Sequence, residues 1–161
     1  MSEKAIIVDE HDNPIGVKNR KDITGDDIYR VSSLWITNSK GEILLARRAY
    51  TESHDPGMWG PAANGTVEEG ETYESNIIKE AEEELGLTNL KIEIGEKHES
   101  HRTWHYFVQR FRATVDVPIE AFRYPKDEVA EMKWFTEDEL RAAIAKNPDE
   151  FLHSVQYYFD K

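Results

Sequence analysis

One well-bounded helix stands between two groups of β-type segments, and this order constrains the fold more than any other feature of the chain. Residues 72–85 open on Thr72, a good helix N-cap, and carry Ile77, Ile78, Ala81 and Leu85 at helical spacing. Gly86 follows, the residue type best suited to ending a helix in the left-handed conformation. Upstream, residues 4–8 read as a short strand, and a turn at residues 12–16 leads into a return strand from Val17. Residues 29–37 and 42–48 flank the turn Asn38-Ser39-Lys40-Gly41 and predict a hairpin. Residues 49–61 read as a loop, followed by an extended piece ending near Gly65 and a turn at 68–71. Downstream, residues 91–94, 103–115 and 128–135 predict strands. Thr136 and Glu139 match a capping box for a helix to about Lys146. Asn147 and Pro148 then open a final helix with Phe151, Leu152, Val155 and Tyr158 among its apolar positions. Helices and strands do not alternate, so the order predicts an α+β fold on a mixed sheet, not a doubly wound one.

At 161 residues the chain suits one domain with one core. Its apolar runs are too short for a membrane helix, and the acid-containing stretch MSEKAIIVDE does not read as a secretion signal. It has no cysteine, which excludes disulfides, thiolate nucleophiles and cysteine-built metal centres and fits a cytoplasmic protein. Twenty basic residues against 32 acidic ones give a net charge of −12. Such a field repels DNA and long RNA, so no nucleic-acid polymer is expected as a partner. A small anion remains open to it where a cation mediates the contact.

The acids concentrate on the central helix. Glu80, Glu83 and Glu84 lie three and four residues apart and project from one side. Each like-charged pair costs roughly 0.2–0.5 kcal/mol in an isolated helix. A cation offsets that cost, and carboxylates with nothing softer favour Mg²⁺ or Mn²⁺. A solvated acidic face explains the same acids equally well. Gly65, Gly70 and Gly86 mark the loop and helix boundaries around them.

The stretch GTVEEGETYESNIIKEAEEELGL, residues 65–87, resembles the Nudix box, Gly-x5-Glu-x7-Arg-Glu-U-x-Glu-Glu-x-Gly-U, where U is a bulky aliphatic residue. Gly65, Glu71, Glu80, Glu83, Glu84, Gly86 and Leu87 fall in register. Lys79 replaces the arginine, and Ala81 is a small version of the first aliphatic position. The resemblance implies an α/β/α sandwich around a mixed sheet. Residues 1–28 would then form an N-terminal β-hairpin extension and residues 29–161 the Nudix domain. It also implies metal-dependent hydrolysis of a pyrophosphate bond in a nucleoside diphosphate-linked or related small diphosphate, with Mg²⁺ or Mn²⁺ as cofactor. Glu80, Glu83 and Glu84 match the family's metal-binding glutamates, and Glu71 the acid that supports loop and helix. Lys79 keeps the arginine's charge but not its bidentate geometry. The general base varies within the family; Glu80 inside the box and Glu128 outside it are the nominations here, with an exposed strand-edge acid as the alternative for Glu128. Homodimers are common among similar proteins.

A wider resemblance, carried by VDEHDNPIG, RVSSLWITNSKGEILLARRA and PGMWGPAANG, links the chain to the branch related to isopentenyl-diphosphate isomerase. That enzyme's resemblance implies a catalytic cysteine just after the loop tryptophan, but Trp59 is followed by Gly-Pro-Ala-Ala-Asn-Gly. A hydrolase of this branch is therefore expected. The alternatives are a catalytically silent domain that binds a ligand or partner, supported by Lys79, and an isomerase without a cysteine. Arg47 and Arg48 are expected either to meet substrate phosphate or to form a surface pair at a strand end. Trp59 either stacks on a substrate base or plugs the core. Trp104, His105 and Tyr106 cannot all face one ligand, because neighbouring strand residues point to opposite faces. His98, His101 and His105 lack metalloprotease spacing.

Overall fold

A computed structural model describes residues 3–159; residues 1, 2, 160 and 161 of the two expected segments lie outside the described residues. Ile28–Thr37 (β3) is the strand around which the rest assembles. One of its edges runs parallel to His105–Thr114 (β8) along its whole length. The other edge is shared in turn by Lys4–Val8 (β1), Ala63–Thr66 (β6) and Ile43–Arg48 (β4), all antiparallel. Pro14–Asn19 (β2) pairs with β1, and Glu93–His101 (β7) with β8. Trp59–Pro61 (β5) and Val129–Phe135 (β9) pair with β4. Among the described residues these nine strands form one mixed sheet.

Alternation along β3 sends its side chains to two cores. Leu34 and Ile36 face Tyr73–Leu85 (α1), where they meet Ile77, Ala81, Leu85 and Phe111. Trp35 faces the opposite way, into a core with Leu45, Trp59 and Phe135. Glu137–Lys146 (α2) and His153–Phe159 (α3) cover that face through Leu140 and Val155. The layers are thus helix, sheet, helix. Leu34, Ile36, Ile77 and Leu140 are fully buried. Each contributes about 1.5–3 kcal/mol by leaving water.

Helix α1 is held at both ends. The Thr72 side chain accepts from the Ser75 N–H at 3.0 Å, and the Thr72 N–H donates to the Ser75 hydroxyl at 2.9 Å. Gly86 stops the helix at φ 72°, and the Leu87 N–H reaches back to the Ala81 carbonyl. The N-terminal hairpin is tied in by packing of Ile6 and Val8 on Val67. Asp12 at its turn accepts from Arg30 Nε at 2.7 Å, Lys97 Nζ at 2.6 Å and the Tyr73 hydroxyl at 2.9 Å. One carboxylate therefore joins the hairpin to β3, β7 and α1.

Four local expectations are corrected. The β3–β4 hairpin keeps only two facing pairs, Ile36↔Leu44 and Thr37↔Ile43, before the strands part to admit β5 and β6. The 49–61 loop ends in β5, which follows the edge of β4 despite Gly60 and Pro61. The strand expected at 91–94 runs instead over Glu93–His101, because its polar residues pair by backbone with β8. The last helix begins at His153 rather than Asn147, because Phe151 bridges to Trp59 and interrupts helical winding.

Candidate active site

The acids of α1 meet the sheet at β6. Gly65 faces Glu80 so closely that a Cβ at residue 65 would lie 2.6 Å from the Glu80 carboxyl carbon. Glu80 and Glu84 are half-buried, whereas Glu83 is exposed. Burial, then the hydrogen bond and charge of Glu80, push the Glu84 carboxyl up to about 10. The Asn64 amide counters part of that shift. Burial also raises Glu80, against the hydrogen bond from Glu84. Two carboxyls this close do not both ionise readily. Glu84 Oε2 is shielded from solvent and has no hydrogen-bond partner among the described residues. An oxygen-only donor set with an orphaned carboxylate oxygen suits a hard divalent cation. Among the described residues no three acidic or histidine side chains already converge on one ligating point. Glu80 and Glu84 come together; Glu83 stays on the exposed side.

A second group braces the approach to α1. Lys79 Nζ contacts Glu71 Oε2 at 2.7 Å and Glu68 Oε2 at 3.4 Å. Glu71 Oε1 accepts from the Glu68 N–H at 2.8 Å and Asn76 Nδ2 at 3.0 Å. Burial alone would raise Glu71, but the bonds from Lys79, Glu68 and Asn76 hold its carboxyl below the usual range. Lysine makes one close contact here where a guanidinium offers a two-pronged one.

Glu128 lies at the start of β9 and is exposed. Its carbonyl accepts from the Ala49 N–H at 2.9 Å. Burial and the charges of Asp127, Glu52 and Glu83 raise its carboxyl, and its own charge acts on Glu84. Its charge therefore reaches the acids of α1.

Arg47 and Arg48 are already engaged within the protein. Arg47 donates to the Gly57 carbonyl at 2.8 Å, pairs with Glu150 and Glu131, and lies over Tyr50 and Trp59. Arg48 donates to the His54 carbonyl and pairs with Glu52. Trp59 is buried edge-on against Phe135.

A cleft of about 900 Å³ opens on the face of the sheet covered by α3. Val31, Ser33 and Val108 come from the sheet, His98 from β7, and Gln156 and Tyr157 from α3. Trp104 and Tyr106 also line it, whereas His105 pairs with Glu99 and stacks on His101. Asn64 belongs to both regions: its amide lies at Glu84 and the residue lines the cleft. Sequence reasoning missed Asn64, which acts through its backbone and carries no side-chain signal. It also missed Asn76, a fully buried amide beside Ile77 that joins Glu71 to the Thr66 carbonyl. A polar residue on the apolar side of a helix was the available signal for Asn76.

Residues 28–155 match the NUDIX domain. The chain belongs to the NUDIX family. It is 30% identical to isopentenyl-diphosphate Delta-isomerase 2 of Photorhabdus laumondii, over 92% of this chain and 86% of that protein. It is 31% identical to an uncharacterized Nudix hydrolase of Pseudomonas aeruginosa, over 95% of this chain and 91% of that protein. The crystal structure of DR0079 from Deinococcus radiodurans superposes with a TM-score of 0.78 at 26% identity, covering 90% of each chain. A MutT protein from Methanosarcina mazei, at 20% identity and a TM-score of 0.68, shares the fold over 83% of this chain and 91% of that one. At the level of the NUDIX family, the chain is a pyrophosphohydrolase.

Proposed function

We propose that this NUDIX protein hydrolyses a pyrophosphate bond in a small diphosphate held in the cleft beside Asn64, with a divalent cation at Glu80, Glu83 and Glu84. The observation that carries this reading is that Asn64, whose backbone amide reaches Glu84 of the Glu80–Glu84 pair, also lines the cleft. When bound, Mg²⁺ or Mn²⁺ neutralises phosphate charge and lowers the pKa of a coordinated water. Glu84, the more deeply buried acid, would hold the cation in its deprotonated form, because a carboxylate ligand must be ionised. Glu83 would supply a further carboxylate from the exposed side of the helix. Glu71 and Lys79 keep the loop before α1 in place. Glu128 is assigned to accept the proton of the attacking water, since it stands outside the close Glu80–Glu84 pair and its raised carboxyl is a stronger base than an ordinary carboxylate. Chemistry of this kind on a small substrate, in a chain without cysteine, suits a cytoplasmic enzyme.

The isomerase relative keeps a second reading in view. The chain has no cysteine at all, so a double-bond shift here would need another acid or base. The test is phosphate and pyrophosphate release from nucleoside diphosphate-linked compounds, nucleoside triphosphates and prenyl diphosphates with Mg²⁺ or Mn²⁺, beside Glu84→Gln. Metal-dependent release that falls at least a hundredfold in Glu84→Gln is expected. Release that survives the substitution, or isomerised prenyl diphosphate without release, overturns the hydrolytic reading.

A further inference from the structure

Arg110 is a buried charge that the acidic cluster does not use. It lies on β8 opposite Ser33 of β3 and is only 5% exposed. Burying a guanidinium is costly unless its charge and donors are answered. The charge of Glu96 of β7 acts on it, but among the described residues no carboxylate oxygen lies within ion-pair distance of its guanidinium. Instead, its terminal nitrogen donates to the Ser154 carbonyl at 2.8 Å, and its Cζ lies 5.1 Å from the Tyr157 ring centre and 5.6 Å from that of Tyr158. All three partners belong to α3. This helix has seven residues, too few to persist without docking. Tyr158 stacks on Trp35 at 3.9 Å, which fixes one side of α3 to the sheet. Tyr157 stacks on His98 of β7 at 4.4 Å, and both rings line the cleft.

We infer that Arg110 is a positioning residue that holds α3 as one wall of the substrate cleft and, through Tyr157 against His98, sets which leaving groups fit. The inference rests on the proposal that the diphosphate substrate occupies this cleft. Arg110 touches neither Glu80 nor Glu84 and takes no part in proton transfer. Removing its side chain takes away the attraction for both tyrosine rings and the Ser154 contact together. The wall then loosens at the Tyr157–His98 contact while the acidic helix on the other face of the sheet is untouched. Lysine keeps the charge over the rings but loses the planar geometry, so it restores part of the effect.

The experiment compares Arg110→Met, Arg110→Lys and Tyr157→Leu with the unaltered chain, using its best diphosphate substrate and two with larger and smaller leaving groups. The expected result for Arg110→Met is a KM raised at least tenfold, kcat within about threefold, and a flattened preference among the three substrates. Arg110→Lys falls between the two. The His98 ring proton resonances, shielded by Tyr157 in the unaltered chain, move downfield in Arg110→Met. That readout needs no substrate. Tyr157→Leu keeps the Arg110–Ser154 contact and gives the same KM signature should Arg110→Met fail to fold. Unchanged KM and preference in a folded Arg110→Met or Tyr157→Leu, in a chain whose Glu84→Gln is inactive, overturns this inference alone. Unshifted His98 resonances in a folded Arg110→Met overturn the proposed link from Arg110 through Tyr157. A chain that cleaves no diphosphate with either metal overturns the hydrolytic reading and this one with it.

Discussion

Gly65 and Glu80 occupy space that no side chain at position 65 can share: a Cβ there would stand 2.6 Å from Glu80 Cδ and 2.8 Å from Oε1. The obstructed atoms are the far end of a side chain, so Gly65→Ala shifts the carboxylate rather than the backbone. The expected outcome is a kcat lowered at least about tenfold, equivalent to about 1.4 kcal/mol of transition-state stabilisation. The melting temperature stays within about 3 °C. Steady-state kinetics and a thermal scan on the same sample check both, and an unaltered kcat would remove Glu80 from the proposed machinery.

Lys79 and Glu71 form the contact that braces the start of α1. Lys79→Met is expected to lower stability by only about 0.5–1 kcal/mol, because the lysine side chain is one-third exposed and solvent screens the pair. Activity falls further than stability, since Glu71 loses the cation that helps keep it ionised and bound to the Glu68 amide. Lys79→Arg retains both properties. Denaturant titration and turnover of the two variants separate these effects.

Asp12 is the point at which the N-terminal hairpin is fastened, and it gives stability a measurable acid limb. Burial alone would raise its carboxyl, but the bonds from Lys97, Arg30 and Tyr73 outweigh burial and hold it below the usual carboxylate range. A carboxyl depressed on folding stabilises fully above its unfolded pKa, about 3.9, and loses that contribution as pH falls through the folded value. Asp12→Asn is therefore expected to cost about 2 kcal/mol near neutrality, with Arg30 left partly buried and short of its partner. The gap between the two proteins stays level from pH 8 to 5 and narrows below about pH 4. Denaturant titrations at pH 7, 4 and 3 read this directly; a gap that widens in acid contradicts the assignment.

Gly86 ends α1 at φ 72°, and a Cβ there would also approach the Arg123 Cβ to 3.1 Å. Gly86→Ala is expected to cost about 1–2 kcal/mol, or several degrees of melting temperature. Per folded molecule its activity is retained, because Glu80 and Glu84 lie in the turns before the cap. A thermal scan paired with active-site titration distinguishes lost folding from lost chemistry.

Much of this architecture was legible in the residues because local signals and tertiary context agree. Thr72 and Gly86 bound α1 by chemistry that acts over three or four residues. The Thr136–Glu139 capping box does the same for α2, where each residue answers the other's backbone amide. Where the sequence misled, a distant partner decided. The strand at 93–101 is polar and lacks alternation, yet β8 supplies its hydrogen bonds. Phe151 lies in a helical pattern, yet Trp59, ninety-two positions earlier, draws it into a bridge. The glutamates were visible through their spacing. Asn64 was not, because a backbone amide gives the same donor whatever its side chain.

The parallel pairing of β3 with β8 also sets an order of assembly. β3 leaves the ribosome long before β8, and until then one full edge of the strand has no mate. β1, β6 and β4 occupy only the opposite edge. The acidic helix lies between these two strands in the chain, so it is synthesised onto a platform that is still half open. Pairings between distant segments form slowly and leave strand edges exposed to other chains meanwhile. Synthesis conditions that delay the second half of the chain should therefore lower the soluble yield more than conditions that delay the first.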